Sequence, residues 1–172
     1  DPSAVFGMSM TIAAAATAIE ALGVDSLGLN CATGPQEMAE HVKWLSENWT
    51  KPISLQPNAG LPELVDGAPY YPLRPQEMAD WLRRFLKEDG LNLIGGCCGT
   101  DIDHIEALDA MLREEAADGY RPTPKQRDAQ WTPALASLYG AVSYRQENAV
   151  LSIGERCNAN GSKKFRELQE AG

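Results

Sequence analysis

Apolar residues recur along this chain at two periods. Met38, Val42, Leu45 and Trp49 stand three or four apart, which places them on one face of a helix opened by Gly34-Pro35, with proline in the first turn. Met78, Leu82, Phe85 and Leu86 repeat that pattern behind Pro75, and Gly90 closes it. The alanine-rich stretch 11–22, TIAAAATAIEAL, predicts an earlier helix ending at Gly23. Ile105, Leu108 and Leu112 mark a last one, with Thr100 and Asp103 spaced as a helix start. Between these helices lie short apolar runs: 24–30 with Val24, Leu27 and Leu29, KPISLQ at 51–56, and Leu91, Leu93 and Ile94 ahead of Gly95-Gly96. Short runs bounded by turn residues read as buried strands.

The order αβαβαβα predicts parallel strands joined by right-handed crossovers. A closed barrel of this kind needs eight βα units. The fold class is therefore α/β, the C-terminal part of a (β/α)8 TIM barrel. PQEMA occurs at 35–39 and again at 75–79, either as a strand-plus-helix repeat or as recurrence of a good helix start. The proline-bearing loop 57–74 is expected to be rigid, and a loop this long inside a compact domain is often functional. After Glu115 the character changes. RPTPKQRDAQWTPA is polar and aperiodic and reads as an interdomain linker, which Trp131, Leu135, Leu138, Tyr139 and Tyr144 can pin to a surface. The run 150–153 predicts a new strand, GERCNANGSKKF a polar loop, and Phe165 with Leu168 a new helix. The division is 1–115 for the barrel part, 116–149 for the linker and 150–172 for the first βα unit of a second barrel.

Composition narrows the partners. The 172 residues suffice for one domain and a piece of another, and 44% apolar content supports a core. A net charge of −9 without a basic stripe argues against nucleic acid and anionic membrane. No apolar run approaches the roughly 20 residues of a membrane span. The start, DPSAVFG, has neither an initiating Met nor a basic signal-peptide region and reads as an excerpt. Four cysteines in a chain of this size make no disulfide framework, and point to a reducing, cytoplasmic setting.

The sharper signal is where the cysteines stand. Cys31 ends the first predicted strand, and Cys97 and Cys98 end the third. Neighbouring side chains on a regular strand point to opposite faces, but the glycines beside the pair let the backbone leave the strand. In a parallel sheet all carboxyl ends share one rim, so the three thiols are expected to converge there. Three protein ligands and one open position suit a catalytic zinc ion. The alternatives are a vicinal disulfide, inert core thiols, or a closed structural metal site. His104 is an alternative ligand in place of a cysteine, but in the first turn of its helix it reads as a capping or surface residue, and His41 reads as solvated. Asn58, in QPNAG after the intervening strand, is either a turn residue or the ligand that fills the open position when substrate is absent. Cys157 lies in the second unit with no partner in view.

GLNCATGP (28–35), QPNAGLP (56–62) and GGCCGT (95–100) together resemble the homocysteine-binding domain of the cobalamin-dependent methionine synthases, over about residues 11–112. That resemblance implies a zinc-dependent methyltransferase of methionine biosynthesis. Cys31, Cys97 and Cys98 would be the zinc ligands, homocysteine the substrate, methylcobalamin on a module outside this chain the immediate donor, and 5-methyltetrahydrofolate the ultimate one. IGERCNANGS (153–162) is similar to the opening strand of the methyltetrahydrofolate-binding barrel of the same enzymes, which implies a pterin-binding role for Asn158. Cys157 stands where those enzymes usually carry threonine, and the first ten residues do not match their expected strand. The resemblance implies as partners the other modules of one polypeptide: a leading half-barrel, the pterin barrel and the cobalamin module. By itself, a fragment of this kind is expected to be inactive. The rival readings are a homocysteine S-methyltransferase using a non-folate donor, and a non-catalytic assembly fragment with a structural metal.

Overall fold

The computed structural model describes residues 10–121, 132–137, 139–148, 150 and 162–171, and the statements below concern these. Helix α1 spans Ile12–Glu20, capped by Thr11, whose hydroxyl accepts from the Ala14 amide at 3.3 Å. Strand β1 is Leu27–Asn30, helix α2 Pro35–Asn48 and strand β2 Ile53–Gln56. A hairpin follows, β3 (Glu63–Val65) with β4 (Ala68–Tyr70), then α3 (Pro75–Glu88), β5 (Leu93–Ile94) and α4 (Ile102–Ala117). A second hairpin, β6 (Ala134–Ala136) with β7 (Ala141–Ser143), and helix α5 (Lys163–Glu170) complete the described chain.

Strands β1, β2 and β5 form one parallel sheet in that order, with Leu27 opposite Ile53 and Leu55 opposite Ile94. The predicted apolar faces of α2 and α3 close over it. Val42, Leu45, Met78, Leu82 and Phe85 meet Leu29, Ile53, Leu55 and Leu91 in a single buried cluster. The layer is α/β and parallel, as the alternation of periods required. The strands are shorter than their apolar runs. At β5 the reason is local: Asn92 takes Ile53 at both ends, its amide donating to the Ile53 carbonyl and its side-chain oxygen accepting from the Ile53 amide, each at 2.9 Å.

Four expectations need correction. Loop 57–74 is not wholly irregular: Asp66 and Gly67, at φ 52° and 81°, make the two-residue turn of the β3–β4 hairpin. Helix α4 is capped by Asp101, one residue later than expected, because the Thr100 hydroxyl is held by the Cys97 carbonyl at 2.6 Å. Its buried face is His104, Leu108, Met111 and Glu115, whereas Ile105 and Leu112 are exposed. The segment read as a linker carries the β6–β7 hairpin packed on α1. Small residues make that approach, with Ala134, Ala141 and Ser143 lining a shared cleft with Ala16 and Thr17, while Leu135, Tyr139 and Tyr144 stay exposed. Ser162 caps α5, the helix expected around Phe165 and Leu168. Of the strand expected at 150–153 only Val150 is described, exposed and outside any strand; Trp131, Leu138, residues 151–153, Cys157 and Asn158 lie outside the described residues. Among the described residues no helix is long and apolar enough to cross a membrane.

Candidate metal centre

The carboxyl ends of β1, β2 and β5 open on the same side, and each feeds one loop of the site. Beyond β1 the backbone turns at once into the left-handed region, at φ 65° for Cys31 and 68° for Ala32. That conformation is uncommon for residues with a Cβ. The turn is tied at both sides: Cys31 N–H donates to the Gln56 carbonyl at 2.8 Å and Thr33 N–H to the Cys31 carbonyl at 2.9 Å. Beyond β5, Gly95 and Gly96 lead to the vicinal cysteines, and Gly99, at φ 76°, turns the chain back toward α4.

The segment after β2 joins the two thiol loops. Cys97 N–H donates to the Pro57 carbonyl and Ala59 N–H to the Cys98 carbonyl, both at 2.9 Å. Asn58 N–H donates to the Thr33 carbonyl at 3.0 Å on the other side. Its side chain, only 3% exposed, accepts from the Cys98 amide through Oδ1 at 3.2 Å. Asn58 is thus a buried bridge between the loops, with one lone pair of its amide oxygen engaged.

This scaffold brings the three predicted sulfurs together. Cys31 Sγ lies 3.5 Å from Cys98 Sγ, Cys98 Sγ lies 3.9 Å from Cys97 Sγ, and all three fall within 4.8 Å of one another. Among the described residues this is the group of His, Cys, Asp or Glu side chains spaced to hold a metal ion. All three are free thiols, so the vicinal disulfide is not formed. A tetrahedral zinc with Zn–S near 2.3 Å needs sulfurs about 3.8 Å apart. The observed spacing fits that requirement.

The thiols are electrostatically unequal. The Ala32 N–H, then the Cys97 and Cys98 thiols and the Asn58 side chain, favour the Cys31 thiolate and lower its pKa. Cys98 is shifted upward, first because its proton is bound toward Cys31 and then toward Cys97, and further by burial and its negative neighbours. The surroundings therefore favour the charged form at Cys31 over that at Cys98, and a bound cation would offset the repulsion between them. Tyr71 adjoins the cluster. Its pKa is raised by burial and then by Cys98. Its ring lies against Gly99, where an added Cβ would come within 2.2 Å of Tyr71 Cγ.

Residues 6–112 match the homocysteine S-methyltransferase family, well over half of the chain. The chain belongs to that family. It is 51% identical over 160 residues to the methionine synthase of Mycobacterium leprae (strain TN), and equally so to that of Mycobacterium tuberculosis (strain ATCC 25618 / H37Rv). In each case the match covers 93% of this chain and 13% of the relative, so the chain spans about an eighth of their length. In this member of the homocysteine S-methyltransferase family, Tyr71 carries no signal in the sequence, since its approach depends on the loop returning over Gly99. His104 closes the expected capping box with Asp101, but it is 5% exposed and not at the surface. His41 is half-buried rather than solvated, with Nδ1 out of water.

Proposed function

We propose that this chain is part of a methionine synthase: the C-terminal part of the homocysteine-binding barrel (1–115), the connecting segment (116–149) and the start of the pterin-binding barrel (150–172). The reading is carried by the sulfur trio, whose spacing suits zinc at Cys31, Cys97 and Cys98. It is supported by the extent of the similarity. The family match ends at residue 112, yet the match to mycobacterial methionine synthases covers 160 residues of this chain, through the connecting segment and into the region of Cys157 and Asn158. A homocysteine methyltransferase with a non-folate donor has no need of that second part.

Cys31 and Cys97 are half-buried and Cys98 is exposed, so an incoming thiol approaches beside Cys98. Zinc, when bound, supplies a Lewis acid that favours the thiolate of homocysteine at a pH where the free thiol is mostly protonated. Three cysteine thiolates keep the centre electron-rich, so the substrate sulfur remains nucleophilic. Methylcobalamin, held on another module, would be the immediate methyl donor and 5-methyltetrahydrofolate the ultimate one. Methionine is the product. Asn58, beside the trio through its contact with the Cys98 amide, would be the residue to supply an oxygen to the metal before substrate arrives, and Asn158 would contribute to the pterin site.

Metal analysis and X-ray absorption of the intact protein test this reading. About one zinc per chain is expected, with one more sulfur neighbour after homocysteine is added. Cys97→Ser and Cys98→Ser are expected to lose both the metal and methionine formation. An unchanged sulfur count with homocysteine would indicate a closed structural site. Normal turnover by a metal-free Cys→Ser protein would refute the zinc role altogether.

A further inference from the structure

His104 is buried under the rim with both ring nitrogens engaged. Nδ1 lies 2.6 Å from Asp101 Oδ1 and 3.3 Å from the Asp101 amide nitrogen, within the capping box of α4. Nε2 lies 3.0 Å from the Leu73 carbonyl, 31 residues away in sequence. A carbonyl only accepts, so Nε2 carries the proton in this contact. Helix capping explains the first nitrogen and says nothing about the second.

The second contact leads to the thiols. Leu73 N–H donates to the Ala59 carbonyl at 3.0 Å, and Ala59 N–H donates to the Cys98 carbonyl at 2.9 Å. The relay therefore runs from His104 through Leu73 and Ala59 to Cys98. It also fixes the end of loop 57–74 two residues from Tyr71, whose ring lies over Gly99. Cys98 is the most exposed of the three sulfurs, and its loop has a glycine on its far side, so its placement depends on such ties.

We infer that His104 is a positioning residue of the thiol centre, holding Cys98 at metal-binding distance from Cys31 through the Leu73–Ala59 relay. This rests on the reading of the trio as a zinc site. Direct outer partners of metal ligands tune affinity by about 10–100-fold, and a relay through two backbone residues is expected at the lower end of that range.

Two conservative replacements separate the latch from the cap. Asparagine reproduces the position of Nδ1 and can keep the capping box, but cannot reach Leu73. Glutamine places an N–H near Nε2 and can keep the latch. Zinc affinity of the intact protein, measured by competition with a chromophoric chelator, is expected to fall 10-fold or more in His104→Asn. In His104→Gln it should stay within about 3-fold of the parent. The melting temperatures of the zinc-free variants should be similar. Equal affinities in the two variants, or a larger loss in His104→Gln, would overturn the latch. Failure of the parent protein itself to bind zinc would instead overturn the reading on which the inference rests, and the two failures are distinct.

Discussion

Cys31 and Ala32 illustrate what the site asks of single residues. Two successive non-glycine residues with positive φ turn the chain sharply off β1 and aim one thiol across the rim. For L-residues this conformation costs roughly 1–2 kcal/mol each, and glycine avoids it at the expense of unfolded-state entropy. Ala32 is exposed and its side chain makes no demand on the site. Ala32→Gly is therefore expected to stabilise the domain by about 0.5–1 kcal/mol in urea unfolding, with zinc content unchanged. A clear destabilisation would show that the turn is not strained. His41 gives a pH prediction. Burial lowers its pKa, with Glu40 partly opposing the shift. The unfolded chain then takes up the proton first, so the stability tied to neutral His41 is complete above the ordinary histidine pKa of about 6.5 and is lost as pH falls through it. In His41→Gln the decline in melting temperature on acidification from about pH 7 to 5.5 should be shallower than in the parent.

At the scale of elements, α3 and α4 are held by more than apolar contact. Glu115, 6% exposed on α4, accepts from Lys87 Nζ at 3.0 Å and faces Arg83 Nε at 3.5 Å on α3. Its removal strands Lys87, which is half exposed and can recover water, while Arg83 keeps Glu114 at 2.6 Å. The cost of Glu115→Ala should therefore lie between that of a surface pair and a buried one, about 1–2 kcal/mol, read as a lower melting temperature that recedes further at low salt. Glu115 is unreadable as a core position because the apolar spacing of Ile105, Leu108 and Leu112 points to another face of α4. The helix keeps Leu108 buried and packs on α3 with Met111 beside it, which leaves Ile105 and Leu112 exposed. The β3–β4 hairpin was legible in principle, since Asp66-Gly67 is a favoured two-residue turn. It was obscured by the prolines around it. The β6–β7 hairpin was not legible: its strands are three residues long and hold to α1 through small side chains that leave no periodic trace.

At the scale of the whole molecule, large apolar side chains are left uncovered. Leu93 at the sheet edge and Ile102 and Ile105 on α4 are 61%, 72% and 49% exposed. In a barrel of the proposed kind a further strand would cover the β5 edge, and an uncovered sheet edge invites self-association. Residues 1–172 produced alone are expected to form no methionine and to sediment as associated species. Ile102→Asp combined with Ile105→Asp should restore smaller species. A monodisperse, active 172-residue chain would contradict the barrel-part reading.

The sequence by itself determined the alternation of strand and helix, the parallel sheet and the identity of the three cysteines. Each of these is a local matter: periodicity, glycine punctuation and residue type at a strand end act within a few residues of the chain. Only the tertiary structure decided how far apart the sulfurs lie, which backbone groups of residues 57–59 bridge the two thiol loops, and that Tyr71 and His104 stand behind them. Those relations join residues up to 67 positions apart, such as Cys31 and Cys98. They depend on how the loops fold back across the sheet, and no local pattern in the chain encodes that.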